Sequence, residues 1–383
     1  MRFAIIGTGF VADYYMKTLA RMDMLELAGV FDIDQARLSQ FCDYYSVKSY
    51  TSLDAVLQDE TVELVAVLTT PETHYDIASA ALAAGKHVYC EKPLAMDIDD
   101  ARKLVAQAKS AGLVLGGAPA NAYSGAFKAA SKALQEGKIG KPKLVYAEME
   151  DGAVFREKWQ EWRSKSGAPW PGKHEFEIGC TLEHAGYSLS WLIGLFGSIK
   201  RITGMSATLF MDKGVEIAAA DMAPDFSTAV LEFENGVIAR LTCGLCAPKD
   251  RSLTIMGEDG TLTVADLWDH SSAIFLERKG QPLSFMFRVF RRLEAMHGRF
   301  MAAKPHAGSR LTYRASKDDH LPAYPSRIDF AAGIDAVRLA AQGEGKSPDQ
   351  LAREALHSTE AALVLNRIAD HNGRYEMVSS LSQ

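Results

Sequence analysis

The apolar run RFAII, residues 2–6, opens directly into Gly7-Thr8-Gly9-Phe10-Val11-Ala12, and no other stretch of the 383-residue chain restricts its fold as much. A strand that ends in G-x-G-x-x-A and feeds a helix turns sharply at the first glycine. It lets a pyrophosphate approach the backbone at the second, and packs helix on strand at the alanine. Free amides at the start of that helix, together with its dipole, favour an anion. Gly7, Thr8, Gly9, Phe10 and Val11 are therefore the expected phosphate-binding turn. Asp32 answers them twenty residues after Ala12, at the end of the second apolar run. A carboxylate there accepts hydrogen bonds from a ribose 2′-OH and repels a 2′-phosphate. Ile33-Asp34-Gln35 follow it and Arg37 is the nearest arginine, so the sequence predicts a dinucleotide site that favours NAD over NADP.

The runs RFAII, LELAGVF, ELVAVLT, HVYC and LVLGG alternate with helical patterns near 10–21, 34–44, 53–58, 73–84 and 97–111. Continuous apolar strands alternating with helices predict a parallel sheet covered on both faces. After a helix near 123–136 the pattern changes. VLEFENGVIARLT and SLTIMGEDGTLTV place Asn235-Gly236 and Asp259-Gly260 between strand-like runs, the dipeptides of tight hairpin turns. Residues 280–325 read as irregular, and helical patterns at 327–342 and 348–370 close the chain. The expected fold is α/β, in two domains. Residues 1–120 form a Rossmann domain with a doubly wound parallel sheet. Residues 121–383 form a substrate-binding and oligomerisation domain of α+β type with an open, mainly antiparallel sheet.

Several function classes are excluded by composition. With 48% hydrophobic residues, a net charge of −6 and no dense Lys/Arg block, neither nucleic acid nor an anionic membrane is an expected partner. The most basic stretch, FRVFRRLEAMHGRF at 287–300, reads as a solvated helix face. Five irregularly spaced cysteines argue against a disulfide framework, and the lone Cys243-x-x-Cys246 lacks the second pair a zinc site needs. The opening apolar run is too short and too broken for a signal peptide, and no run approaches 18 apolar residues. A cytoplasmic enzyme is expected. His174, Glu175 and His184 lack the spacing of a metal site, so no metal is expected.

Two further segments carry unusual polarity just past parallel strands, where open α/β sheets bind ligands: TTPETH at 69–74 and CEKPLA at 90–95. In this order and spacing, GTGFVA, TTPETH and EKPLA resemble the glucose-fructose oxidoreductase / inositol dehydrogenase / MocA family over the whole chain. The resemblance implies an NAD(P)-dependent oxidoreductase of sugars, sugar derivatives or cyclitols. It places Lys92 as the catalytic lysine, Pro93 after a cis bond, and Thr69, Thr70, Pro71, His74, Glu91 and Lys92 itself beside the nicotinamide half of the cofactor. The chemistry independently explains a lysine. Oxidising a carbinol requires removal of the hydroxyl proton as hydride leaves, and a base works best near the operating pH. A free lysine at about 10.4 is too high, so burial beside a cationic ring must lower it, with Glu91 opposing.

GCTLEHAGYSLSW, residues 179–191, reads as a helix continuing to Phe196. On a helical wheel Leu182, Ala185, Leu189, Leu192, Ile193 and Phe196 share one face, while His184, Tyr187 and Trp191 cluster opposite, flanked by Ser188. Aromatic and short polar groups without Lys or Arg suit a sugar site. The family pattern here is G-G-x-L-x-D-x-G-x-H/Y. Aligned on Gly179, Leu182 and Gly186, it puts His184 at the Asp position and Ser188 at the His/Tyr position, with Tyr187 displaced by one. Lys92 and His184 are thus the expected catalytic pair, and Glu183, Tyr187, Ser188, Trp162 and Arg163 the expected substrate contacts. Trp170, His174 and Glu175 belong to a long loop shaping the pocket. Two alternatives stand beside a dehydrogenase. One is a redox-neutral enzyme that oxidises its sugar transiently with tightly bound NAD; the other is a cofactor-sensing regulator, which retention of Lys92 disfavours. A homodimer or homotetramer through the open sheet is expected.

Overall fold

In the computed structural model, residues 1–297, 305–313, 321 and 327–381 are described. The first half alternates strand and helix: β1 (Arg2–Ile6), α1 (Ala12–Leu19), β2 (Glu26–Phe31), α2 (Gln35–Tyr45), α3 (Leu53–Leu57), β3 (Leu64–Val67), α4 (His74–Ala83), β4 (His87–Cys90), α5 (Ile98–Ala111) and β5 (Leu115–Gly117). The strands pair in parallel in the order β2-β1-β3-β4-β5. Successive side chains feed opposite cores: Phe3 and Ile5 pack with Tyr15 of α1, whereas Ala4 and Ile6 pack with Ala78 and Leu82 of α4 and Leu104 of α5. Alternation at period two with both faces buried is what a doubly wound sheet demands. Ile6 lies opposite Phe31 and Val67, and Val67 opposite Cys90. Gly7, Asp32, Leu68 and Glu91 therefore leave the sheet along one edge.

The second half runs α6 (Gly125–Gln135), β6 (Pro142–Glu150), α7 (Gly172–Ile178), α8 (Cys180–Phe196), β7 (Ile199–Ala207), β8 (Phe226–Phe233), β9 (Ile238–Gly244), β10 (Leu253–Gly257), β11 (Gly260–Val264), β12 (Ile274–Arg278), α9 (Phe285–His297), β13 (Ser309–Arg310), α10 (Ala331–Ala341), α11 (Pro348–Asn366) and β14 (Arg374–Glu376). Its sheet has the order β13-β12-β11-β10-β6-β9-β8-β7-β14 and is antiparallel except at β6–β9. Both expected hairpins form. At the first, Gly236 takes φ +85° and Asn235 Oδ1 accepts from Val237 N at 3.0 Å. At the second, the turn residues are Glu258 and Asp259. Gly260 already belongs to β11, where a Cβ would stand 2.2 Å from Glu277 O of β12.

α8 lies on the inner face of this sheet, against β6, β8 and β9, with α11 on its other side. The outer face is open: Tyr146, Met205 and Val230 are exposed there, beside ion pairs Arg240–Glu148 and Arg201–Glu232. α10 and α11 return to the first sheet, so closely that a Cβ on Gly117 would stand 2.7 Å from Ala355 Cβ. One expectation is corrected: 280–325 is not irregular throughout, because α9 occupies 285–297. Its Arg288, Arg291 and Arg292 are exposed as expected, but so are Phe285, Met286 and Met296. Within that stretch β13 is also regular, and residues 298–304, 314–320 and 322–325 lie outside the described residues. No helix among the described residues is long and apolar enough to cross a membrane.

Candidate active site

The fingerprint forms the cradle its residues imply. Gly7 has φ +98°, and a Cβ there would lie 2.7 Å from the Leu68 carbonyl carbon, so no other residue fits the turn. A Cβ on Gly9 would meet nothing within 4 Å, which leaves open space over the first turn of α1. That combination fits a dinucleotide: Thr8 is buried, while Gly9, Phe10 and Val11 are partly exposed around the opening. Asp32, 4% exposed, accepts from Thr8 N at 2.7 Å and Asp34 N at 2.9 Å, and Arg37 grips it through Nε at 2.8 Å and Nη2 at 2.6 Å. Although burial acts to raise it, these donors hold the carboxyl below the usual range.

Beyond β3, Thr69 and Thr70 reach the surface and Pro71 starts a tight turn into α4. His74 is buried and straddles two loops, with Nδ1 2.7 Å from Pro93 O and Nε2 3.0 Å from Thr69 O. Burial lowers its pKa despite both carbonyls, so the neutral ring, donating through one nitrogen and packed by the other, lies between TTPETH and EKPLA. Glu91 accepts from Tyr15 OH at 2.6 Å and from Lys92 N at 3.1 Å, which anchors the EKP turn to α1. The Lys92–Pro93 and Ala118–Pro119 peptides are cis. Lys92 Nζ pairs directly with Glu183 Oε2 of α8. Burial disfavours its ammonium, but Glu183, Glu91 and Glu175 outweigh burial and raise its pKa. The lysine is a cation here rather than a ready base.

α8 presents three environments. A Cβ on Gly186 would stand 3.6 Å from Pro119 Cδ and 4.0 Å from Lys92 Cγ, so the strip Glu183, Gly186, Tyr187, Ser190 faces the Lys92 loop. Asn121 ties this strip down, donating to Tyr187 O at 2.8 Å and accepting from Ser190 Oγ at 2.9 Å. Glu183 and Tyr187 stand one helical turn apart on it, the spacing the family pattern assigns to its Asp and His/Tyr. Sliding that pattern by one residue puts them in register; Ala185 then takes the place given to Gly186. His184 faces elsewhere, with Nε2 2.6 Å from Glu175 Oε1 and Nδ1 2.9 Å from Asp151 Oδ2. Burial would lower its pKa, but Asp151 and Glu175 push it up to about 10. The ring is therefore charged at neutral pH, which does not suit the proton-transfer half of the expected Lys92–His184 catalytic pair.

Ser188 is fully buried without a hydrogen-bond partner among the described residues, away from the cleft. Trp191, expected on the polar face, is corrected: it is fully buried, edge-on to Phe127 at 5.1 Å. A helix clamped between a sheet and α11 buries almost its whole circumference, which a two-sided wheel does not anticipate. Arg163 is exposed and donates to Gln160 O and Trp162 O, within its own loop, while Trp162 leans on Trp170 at 5.0 Å. His174 reaches across to Glu72 at 2.8 Å, and Ser166 bonds Asp13 of α1 through N at 2.8 Å and Oγ at 2.7 Å. The 160s loop, through Ser166, and the start of α7, through His174, thus touch the first domain at two separated points.

Three residues of this cluster were not foreseen. Asp151, just past β6, forms an ion pair with His184 and lies 3.0 Å from Arg251 Nε. Arg251 sits 3.9 Å over the Trp268 ring, and Trp268 packs on Tyr187 at 4.6 Å. Only the acids ending β6, in EMEDG, gave a sequence signal; Arg251 and Trp268 lie in loops without one.

Comparison with known proteins gives the family. A profile described as "Oxidoreductase family, NAD-binding Rossmann fold" matches residues 1–117, and the GFO/IDH/MocA C-terminal domain matches 127–263. A 1,5-anhydro-D-fructose reductase of Ensifer adhaerens is 36% identical over 142 residues, 37% of this chain and 43% of that relative. The chain thus spans less than half the length of that relative. A trans-1,2-dihydrobenzene-1,2-diol dehydrogenase of Mus musculus is 24% identical over 271 residues, 70% of this chain and 75% of its own. The WlbA dehydrogenase of Bordetella pertussis, solved with NADH and UDP-GlcNAcA, superposes with a TM-score of 0.71 at 20% identity, over 98% of this chain and 97% of that one. With the fingerprint cradle, the EKP lysine and both domain profiles in agreement, the chain belongs to the Gfo/Idh/MocA family of NAD(P)-binding oxidoreductases.

Proposed function

We propose that the protein interconverts a carbinol and a carbonyl on a sugar, sugar derivative or cyclitol, with NAD as hydride carrier and Lys92 as general acid/base. One observation carries this reading: Lys92 emerges at the carboxyl edge of the parallel sheet and meets Glu183 of α8, with Tyr187 one turn further. Bound nicotinamide supplies the hydride acceptor or donor at this edge. Gly7, Thr8, Gly9, Phe10, Val11 and Asp32 hold the phosphates and ribose, and Thr69, Thr70, Pro71, His74 and Glu91 form the nicotinamide side. As an ammonium, Lys92 donates a proton to a carbonyl oxygen being reduced; after losing it to Glu183 or solvent, it accepts one from a hydroxyl being oxidised. Tyr187 and Trp268 offer an aromatic wall to C–H faces, and Glu183 bonds hydroxyls. His184 holds Asp151 and Glu175 in place as a fixed cation rather than moving the proton.

Screening sugars, cyclitols and sugar acids by NADH fluorescence tests this. A substrate that Lys92→Ala turns over at wild-type rate would remove Lys92 from the role. The redox-neutral alternative gains support from segment 166–174, whose Ser166–Asp13 and His174–Glu72 contacts tie it to the first domain and would slow cofactor release. Sugar conversion without net NADH at 340 nm would identify it. The outer sheet face, with Tyr146, Met205 and Val230 exposed, supports a homodimer or homotetramer; light scattering showing a monomer would refute it.

A further inference from the structure

Asp32 is crowded. Its carboxylate receives five donors: Thr8 N, Thr8 Oγ1, Asp34 N, and Arg37 Nε and Nη2. A carboxylate offers about four lone-pair sites, which these five donors already fill with one site shared, so a ribose hydroxyl would have to displace one of them. The two backbone amides are fixed by the turn and by the cap of α2. The Thr8 hydroxyl is fully buried, which leaves Arg37 as the donor with solvent to move into, since its side chain is 37% exposed and it occupies the first turn of α2. When it leaves, Asp32 keeps its bonds to Thr8 and Asp34, so the buried carboxylate is not left unpaired. The released guanidinium then stands next to the 2′ position, a planar fork suited to a phosphate.

Charge points the same way. A bare Asp32 would repel a 2′-phosphate, but Asp32 and Arg37 together are neutral. Asp34, 3.6 Å from Arg37 Nη1, is 48% exposed, and its Oδ1 is engaged by Ala36 N and Arg37 N, so water screens what repulsion it adds. We infer that Arg37 is a cofactor-specificity residue: it swings from Asp32 onto the 2′-phosphate, so the chain accepts NADP as well as NAD. This goes beyond the NAD preference proposed above and rests on the reading of the fingerprint as a nicotinamide dinucleotide site.

Fluorescence titration with NADH and NADPH, which needs no substrate, tests it on wild type, Arg37→Ala and Arg37→Lys, with thermal melts confirming that each is folded. For wild type, NADPH should bind within about thirtyfold of NADH. Arg37→Ala should weaken NADPH by about thirtyfold or more and NADH by about threefold at most, because only the phosphate loses a fork of charged hydrogen bonds. Arg37→Lys should fall between. NADPH affinity should also decline more steeply with salt than NADH affinity in wild type, and lose that excess in Arg37→Ala. A wild-type gap above thirtyfold, or equal losses for both nucleotides in Arg37→Ala, overturns the inference while leaving the dinucleotide site intact. Failure of both nucleotides to bind wild type overturns the site and the inference together.

Discussion

Two neighbouring faces of α8 carry the same kinds of charge and use them differently. On one, Lys92 and Glu183 form a pair whose side chains keep 16% and 15% exposure at the cleft. On the other, His184 is held at both ring nitrogens by Asp151 and Glu175, with Arg251 closing the far side of Asp151. An ion pair open on one side can hand a proton to a bound molecule. A cation closed on both sides cannot, and instead neutralises carboxylates that burial would otherwise make costly. Adjacency in sequence, Glu183 next to His184, therefore says nothing about shared work: at 100° per residue the two side chains enter different environments.

Breaking the closed face should have the larger effect. His184→Gln leaves Glu175 without the His184 cation and Asp151 with Arg251 alone, and should cost on the order of 3 kcal/mol of stability in denaturant titration. Because the folded pKa is raised to about 10, this contribution is fully present below about 6.5, the unfolded value. It is lost as pH rises through about 10, so the gap between wild type and variant should narrow over that window. A gap that widens with pH would contradict the fixed-cation role. On the open face, Lys92→Ala should lower kcat by about 10² or more with nucleotide affinity nearly unchanged. A loss of tenfold or less would count against Lys92 as proton carrier.

Glu183→Gln should sharpen the contrast. Glu183 contributes to the raised pKa of Lys92, so its removal lets the lysine lose its proton at lower pH. In wild type, kcat/KM for oxidation should climb with pH and that for reduction should fall. In Glu183→Gln the oxidative limb should move to lower pH, with a rate loss of about tenfold at most. An unmoved limb would uncouple Glu183 from Lys92. The smallest effect belongs to Ser188→Ala. Its hydroxyl is buried and unpartnered, so stability should stay within about 0.5 kcal/mol or rise, and turnover should not change. A tenfold loss of turnover would restore Ser188 to the cleft.

Much of this was legible in the chain itself. Strand runs, hairpin turns and the G-x-G-x-x-A turn are local, since φ at Gly7 and period-two burial in RFAII depend on residues within a few positions. The dinucleotide cradle, the parallel sheet, the change to antiparallel pairing and the position of Lys92 after β4 follow from such patterns and from resemblance. Tertiary structure decided which side chains meet. Lys92 and Glu183 are 91 residues apart, Asp32 found its arginine across the first turn of α2, and His184 was closed in by residues from the end of β6 and from α7. A helical wheel separates polar from apolar faces but not one polar face from another. That distinction depends on what packs against each face, and those partners come from distant segments brought together only by the folded sheets.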